Sequence, residues 1–144
     1  MINLLSGIES SGSALNAERV RLEVVSQNIA NANTTRGADG KPYQRQQVVF
    51  QSVLNDRLNS MLNGELTSSK VEIASIQKDT RPPRMVYNPG HPDADRQGMV
   101  AVPDINIHEE MADLLTASRA FEANLAVVKN ARSMALQTLS IGKR

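Results

Sequence analysis

The stretch His108–Ile141, HEEMADLLTASRAFEANLAVVKNARSMALQTLSI, decides how the rest of the chain is read. Met111, Leu114, Ser118, Phe121, Leu125, Val128, Arg132, Ala135 and Leu139 follow one another at alternating steps of three and four residues. That is the spacing of a heptad seam along one α-helix, with polar interruptions at Ser118 and Arg132. No Gly or Pro interrupts the stretch. Asn106, with Glu109 three residues on, resembles a capping box. Glu109, Glu110 and Asp113 sit at the positive end of the helix dipole, and Arg132, Lys143 and Arg144 at or beyond its negative end. At 1.5 Å per residue the helix is expected to be about 50 Å long, more than the core of a small domain can cover. Leu115, Leu136 and Ile141 lie off the seam, so a second face is partly apolar.

Working outward, the N-terminal segment from Leu4 to about Asn31 is also helical in pattern. Ile8, Leu15, Leu22 and Ile29 recur every seven residues and Val25 joins them; Ala17, Val20 and Val24 form an adjoining line. Gly7 and Gly12 each weaken the first turns by about 1 kcal/mol relative to Ala. Asn28, Asn31, Asn33, Thr34 and Thr35 favour caps and turns and are expected to end this helix. All 6 Pro lie between Pro42 and Pro103, and five of the 8 Gly between Gly37 and Gly98. The breakers therefore fill the middle and spare both ends. Tyr43–Phe50, Lys70–Ile76, Arg84–Tyr87 and Met99–Val102 read as short strands. Val53, Leu54, Leu58, Met61 and Leu62 have helical spacing, so Gln51–Leu62 reads as a short helix stopped by Asn63-Gly64.

The expected architecture is mainly α with a small β middle. An N-terminal helix and Asn-rich exit segment (1–35) and a C-terminal coiled-coil helix (108–144) flank a β-containing region (36–107). The two terminal helices are long enough to pair with each other. Each would keep an apolar face after pairing, and leftover apolar faces on long helices imply other subunits.

Composition excludes several classes of function. The chain has 144 residues, 40% apolar but only 3% aromatic, with 16 basic against 15 acidic side chains. A net charge of +1 is not that of a nucleic-acid module, which needs a basic stripe to displace counterions from phosphates. The absence of Cys removes disulfides, thiol nucleophiles and cysteine-ligated zinc. No apolar run is long enough to span a membrane. The first residues carry no basic n-region, and Ser10, Ser11 and Ser13 interrupt any h-region, so no cleaved export signal is expected.

No catalytic set assembles. Asp93, Asp95, Gly98, Val100 and Asp104 occupy positions 1, 3, 6, 8 and 12 of a calcium-loop pattern. Pro89, Gly90 and Pro92 stand where its incoming helix belongs, position 12 is Asp, and Pro103 precedes it, so a turn between strands is the preferred reading. His91 beside Asp93 and Asp95 adds little, and His108 sits at a helix start. There is no phosphate-binding glycine loop, nucleophile elbow or paired-His helix. An enzyme, a cofactor and a bound metal are not expected.

Three segments carry a family resemblance. Val25-Ser-Gln-Asn28-Ile29-Ala30-Asn31-Ala32-Asn33-Thr34-Thr35 resembles the Asn-rich signature of flagellar rod and hook proteins. Glu109-Glu110-Met111 through Ser118-Arg119-Ala120-Phe121-Glu122-Ala123-Asn124 is similar to the C-terminal helix of that family. Gly40-Lys-Pro42-Tyr43-Gln-Arg-Gln-Gln-Val48-Val49-Phe50 and Val86-Tyr87-Asn88-Pro89-Gly90-His91-Pro92-Asp93-Ala94-Asp95 followed by Gly98 resemble its proximal rod subunits. Asp56–Ser69 matches least.

The resemblance implies a non-enzymatic axial subunit, exported unprocessed by the flagellar type III apparatus and assembled in the periplasm into a hollow helical shaft. Its implied neighbours are the other proximal and distal rod subunits and the junction protein at the inner-membrane ring, with no nucleic acid and no small-molecule substrate. It also implies that the two terminal helices pair as an antiparallel coiled coil, which the first helix leaves at the Asn-rich segment. The assembly contacts expected from the heptad spacing are Ile8, Leu15, Leu22, Val25, Ile29, Met111, Leu114, Phe121, Leu125, Val128, Ala135 and Leu139, and Asn28, Asn31, Asn33 and Thr34 carry the family motif. A heterologous interface that does not close builds a filament. A distal rod or hook subunit would share the terminal motifs but carries a larger middle; a non-flagellar coiled-coil adaptor would not need the Pro-rich β region.

Overall fold

The computed structural model describes residues 4–54 and 69–142, with side chains over 7–53 and 70–142. Helix α1 spans Leu4–Ala30 and helix α2 Ile107–Ile141. Between them lie β1 (Gln46–Leu54), β2 (Ser69–Lys78), β3 (Arg84–Tyr87) and β4 (Met99–Val102). β1 and β2 form one antiparallel two-stranded sheet and β3 and β4 another.

Both helices form as their sequences dictate. α1 runs unbroken through Gly7 and Gly12. Its end is closed by Asn31, whose N–H and side-chain amide both donate to the Gln27 carbonyl. Asn31 Oδ1 accepts from the Thr34 hydroxyl, and the chain then turns. Asn28, expected among the terminating residues, instead lies inside the helix and is buried. α2 is capped by Asn106, whose side chain accepts from the His108 N–H. Glu109 accepts from the Asn106 side-chain amide at 3.0 Å, a side-chain version of the reciprocal bond expected of a capping box.

The strands β3 and β4 fall on the expected residues, pairing from Arg84↔Val102 to Tyr87↔Met99. β1 starts later and runs further than its pattern suggests. Gln51–Leu54, expected to open a helix, pair with Glu72, Val71, Lys70 and Ser69 instead. Helical spacing of a few apolar residues yields here to a ladder of backbone hydrogen bonds across the sheet. The rest of that expected helix lies outside the described residues. A bulge between Val49 and Phe50 bends β1 where it crosses α1.

The α-helices pack on one another antiparallel: Asn28 meets Glu110, and Arg21 meets Asp113. β1 and β2 lie against α1, where the Val71 N–H donates to Ser13 Oγ and Lys70 pairs with Glu9. Among the described residues the buried apolar ones are all small: Ala17, Val24, Val25, Ala32, Val100, Ala117 and Ala131. No described helix is long and apolar enough to cross a membrane.

Candidate functional site

The helix pair meets along lines that hydrophobicity alone does not mark. On α2 the buried residues are Glu110, Ala117 and Ala131, seven or fourteen residues apart. Leu114, Phe121, Val128 and Ala135 flank them, half-buried. Of the other expected seam positions, Ser118 and Leu125 are half-buried as well, and Met111 and Arg132 are exposed; the buried residues stand one position before them. Met111 and Leu139, both expected in the seam, are 51% and 69% exposed. Ala117 and Ala131 are small, and Glu110 is held inside by its hydrogen bonds. The polar interruptions at Ser118 and Arg132 stand outside the buried residues.

On α1 the buried residues come from both expected lines. Ala17, Val24, Val25 and Asn28 are buried. Ile8, Leu15, Leu22 and Ile29, the stronger apolar stripe, are only half-buried. Two residues along a helix is a turn of about 200°, so Leu15 and Leu22 point away from the side that Ala17 and Val24 bury. On α2, Met111 and Leu115 leave more than half of their surface exposed, as do Val127, Met134, Leu136, Leu139 and Ile141. The chain thus carries apolar helical faces that it does not cover itself.

At the open end of the pair sits a buried polar knot. Asn28 is 1% exposed and uses all of its hydrogen-bonding capacity. Its Nδ2 donates to the Gln46 carbonyl and to Glu110 Oε2, both at 2.9 Å. Its Oδ1 accepts from the Gln46 N–H at 2.9 Å and from the Tyr43 hydroxyl at 3.0 Å. Glu110, also 1% exposed, pairs through Oε1 with Arg45 Nε at 2.5 Å. Arg45 reaches on to Asp113 at 3.7 Å, and Arg21 meets the same carboxylate at 3.6 Å. Burial, and then the Glu110 charge, hold the Tyr43 phenol above its ordinary pKa. The knot ties the last turn of α1, the start of β1 and the first turn of α2 at one point. Of the four family-motif residues, Asn28 is its centre, Asn31 and Thr34 shape the exit turn, and Asn33 is exposed. The sequence marks Asn28 as one Asn among several, Glu110 as an acid in the first turn of α2 and Arg45 only as part of the Gly40–Phe50 stretch; nothing local joins the three.

The acidic loop is a set of turns. Asp95 Oδ1 accepts from the Gln97 and Met99 N–H groups. Asp93 accepts from the Thr35 hydroxyl at 2.8 Å and pairs with Arg36 at 3.8 Å. Asp104 faces Arg81, which also pairs with Asp79. Hydrogen bonds and charge from Arg81 hold the Asp79 carboxyl below the usual carboxylate range. The carboxylates of the calcium-loop pattern thus have separate partners. Gly98 supplies a positive φ of 75° in the connection between β3 and β4, and a Cβ there would stand 2.9 Å from the Tyr87 ring.

Residues 8–38 match the family model described as flagella basal body rod protein. Residues 96–141 match the one described as flagellar basal body rod FlgEFG protein C-terminal. Over 97% of its length the chain is 39% identical to the flagellar basal-body rod protein FlgC of Salmonella typhimurium, covering 98% of that protein. It is 38% identical to FlgC of Borreliella burgdorferi over 97% of the chain and 98% of the relative. With FlgC of Bacillus subtilis the identity is 37%, over 92% and 94%.

Proposed function

The chain belongs to the FlgC family of flagellar basal-body rod proteins, and on that premise we propose that it is a structural subunit of the proximal rod, assembled through its terminal helices into a hollow helical shaft. The relatives are named as rod proteins, a structural and not a catalytic role. The observation that carries the reading is the long helix α2, which leaves a run of large apolar side chains uncovered. Met111, Leu115, Leu136 and Leu139 have the exposure of a face that other helices complete, while Ile8, Leu15 and Leu22 on α1 are half-buried.

In this reading the helix pair (1–35 with 108–144) continues as a coiled coil within the periplasmic rod, and the middle (36–107) lies outside it. Ile29, Val25, Leu114, Phe121, Leu125, Val128, Ala135 and Leu139 complete the contacts within and between subunits. The neighbours are other proximal and distal rod subunits and the junction protein at the inner-membrane ring, reached through the flagellar type III export apparatus.

The experiment is a complementation in cells lacking this subunit. Leu125 is half-buried on the flank of α2, and an unpaired carboxylate there is costly once a neighbour covers it. Leu125→Asp is expected to be made and exported yet to give no rod, no hook and no swimming, whereas Glu122→Ala assembles. Normal rods with Leu125→Asp, or absence of the wild-type chain from purified basal bodies, would overturn the reading.

A further inference from the structure

The helix pair has few large side chains in its buried seam. The buried residues of α2 are Glu110, Ala117 and Ala131, and those of α1 include Ala17 and Val24. Asn124, between the two alanines, is half-buried. A slide of one heptad would exchange small or polar side chains for one another, which costs less sharply in packing than in buried hydrogen bonds. The polar knot allows no such exchange. Asn28 and Glu110 meet at 2.9 Å while buried to 1% exposure, and sliding either helix would leave an amide and a carboxylate buried without partners.

We propose that the Asn28–Glu110–Arg45 network is the register lock of the terminal helix pair: it selects one alignment of α1 against α2 and fixes where β1 leaves them, while the small residues of the seam supply packing that discriminates less sharply. Asn28 and Glu110 are positioning residues in this assignment. A buried polar pair that is poor as a source of stability is well suited to this work, because its cost falls on every wrong alignment. Arg45 extends the lock to the middle of the chain. The same network fixes Gln46, the first residue of β1, through both its N–H and its carbonyl. The two helices and the strand therefore close together, and the direction in which the middle region leaves the helix pair is set at one point.

The chain has no native Cys, so alignment can be read by cross-linking introduced pairs in the purified full chain. Arg21→Cys with Asp113→Cys reports the native register, since those two positions meet across the helix pair. Arg21→Cys with Ala120→Cys and Ala14→Cys with Asp113→Cys report slides of one heptad in either direction. With the lock intact, a short bis-maleimide is expected to favour the native pair by about tenfold or more, the ratio one hydrogen bond to a charged group supplies.

Replacing the network by apolar side chains of similar size (Asn28→Leu, Arg45→Met and Glu110→Met together) is expected to keep the helix signal in circular dichroism. The native and slid pairs should then cross-link within about threefold of each other, since packing alone discriminates less sharply. Glu110→Gln, which preserves the bond to Asn28, is expected to keep the native preference. The proposal is overturned if the triple variant stays helical and still cross-links only in the native register. It is equally overturned if the triple variant loses its helix signal while Glu110→Gln keeps it, because the network would then hold the pair together rather than align it.

Discussion

Asn28 is 1% exposed and makes four hydrogen bonds to three residues. Removing it leaves the Glu110 carboxylate and both backbone groups of Gln46 short of partners in a buried place. Asn28→Ala is expected to cost about 3 kcal/mol in urea unfolding, while Asn33→Ala, at an exposed position, stays within about 0.5 kcal/mol. Tyr43 gives a pH test of the same knot. Its phenol is held above the ordinary 10.0 first by burial and then by the Glu110 charge. A group whose folded pKa is raised contributes stability that is complete below the unfolded value and is lost as pH rises through the folded one. The folded chain should therefore lose stability from about pH 10 upward. In Tyr87→Phe, which leaves Tyr43 as the remaining tyrosine, ultraviolet titration of the phenol should show a midpoint above 10.0. A midpoint at or below that value would contradict the buried placement. None of this was legible in the sequence beyond an Asn-rich run, because partners 18 and 82 residues away give Asn28 its role.

At the scale of elements, legibility followed local chemistry. β3 and β4 were readable to the residue because Pro and Gly bound them on both sides. β1 was misread beyond Phe50 because its partners, Ser69 to Glu72, lie across the sheet and not in the local pattern. On α2 the buried residues Glu110 and Ala117 stand one position before seam residues and look unlike core residues; small size places Ala117 inside, and hydrogen bonds hold Glu110 there. That placement can be tested directly. Ala117 is fully buried and Arg132 is exposed. Ala117→Leu is expected to wedge the helices apart and cost about 1–3 kcal/mol, whereas Arg132→Ala, at an exposed position, stays within about 0.5 kcal/mol. The reverse order in urea melts would restore the original seam. In the β3–β4 connection, Gly98→Ala must hold φ near 75° against a ring 2.9 Å away. The expected loss is about 1–2 kcal/mol or more, read as a lower melting temperature.

For the whole molecule, the uncovered apolar helix surface lies on α2. Among the described residues the buried apolar side chains are Ala and Val, while Leu115, Leu136, Leu139 and Ile141 are 58–76% exposed. A helix with an uncovered apolar face draws most of its stability from partners, so the ends of α1 and α2 remote from the knot are expected to resist protease in the rod and to be cut early in the free chain. Equal resistance in dilute free chain would mean that the pair needs no neighbours. The family matches lie on the two ends, residues 8–38 and 96–141, which contain most of both helices. The most direct measurement places a single thiol on the uncovered face, at Leu115→Cys, 60% exposed in the chain alone. A maleimide is expected to label it quickly in the free subunit, poorly in purified basal bodies, and fully once those bodies are denatured. Labelling as fast in intact basal bodies as in the free subunit would contradict assembly through the terminal helices.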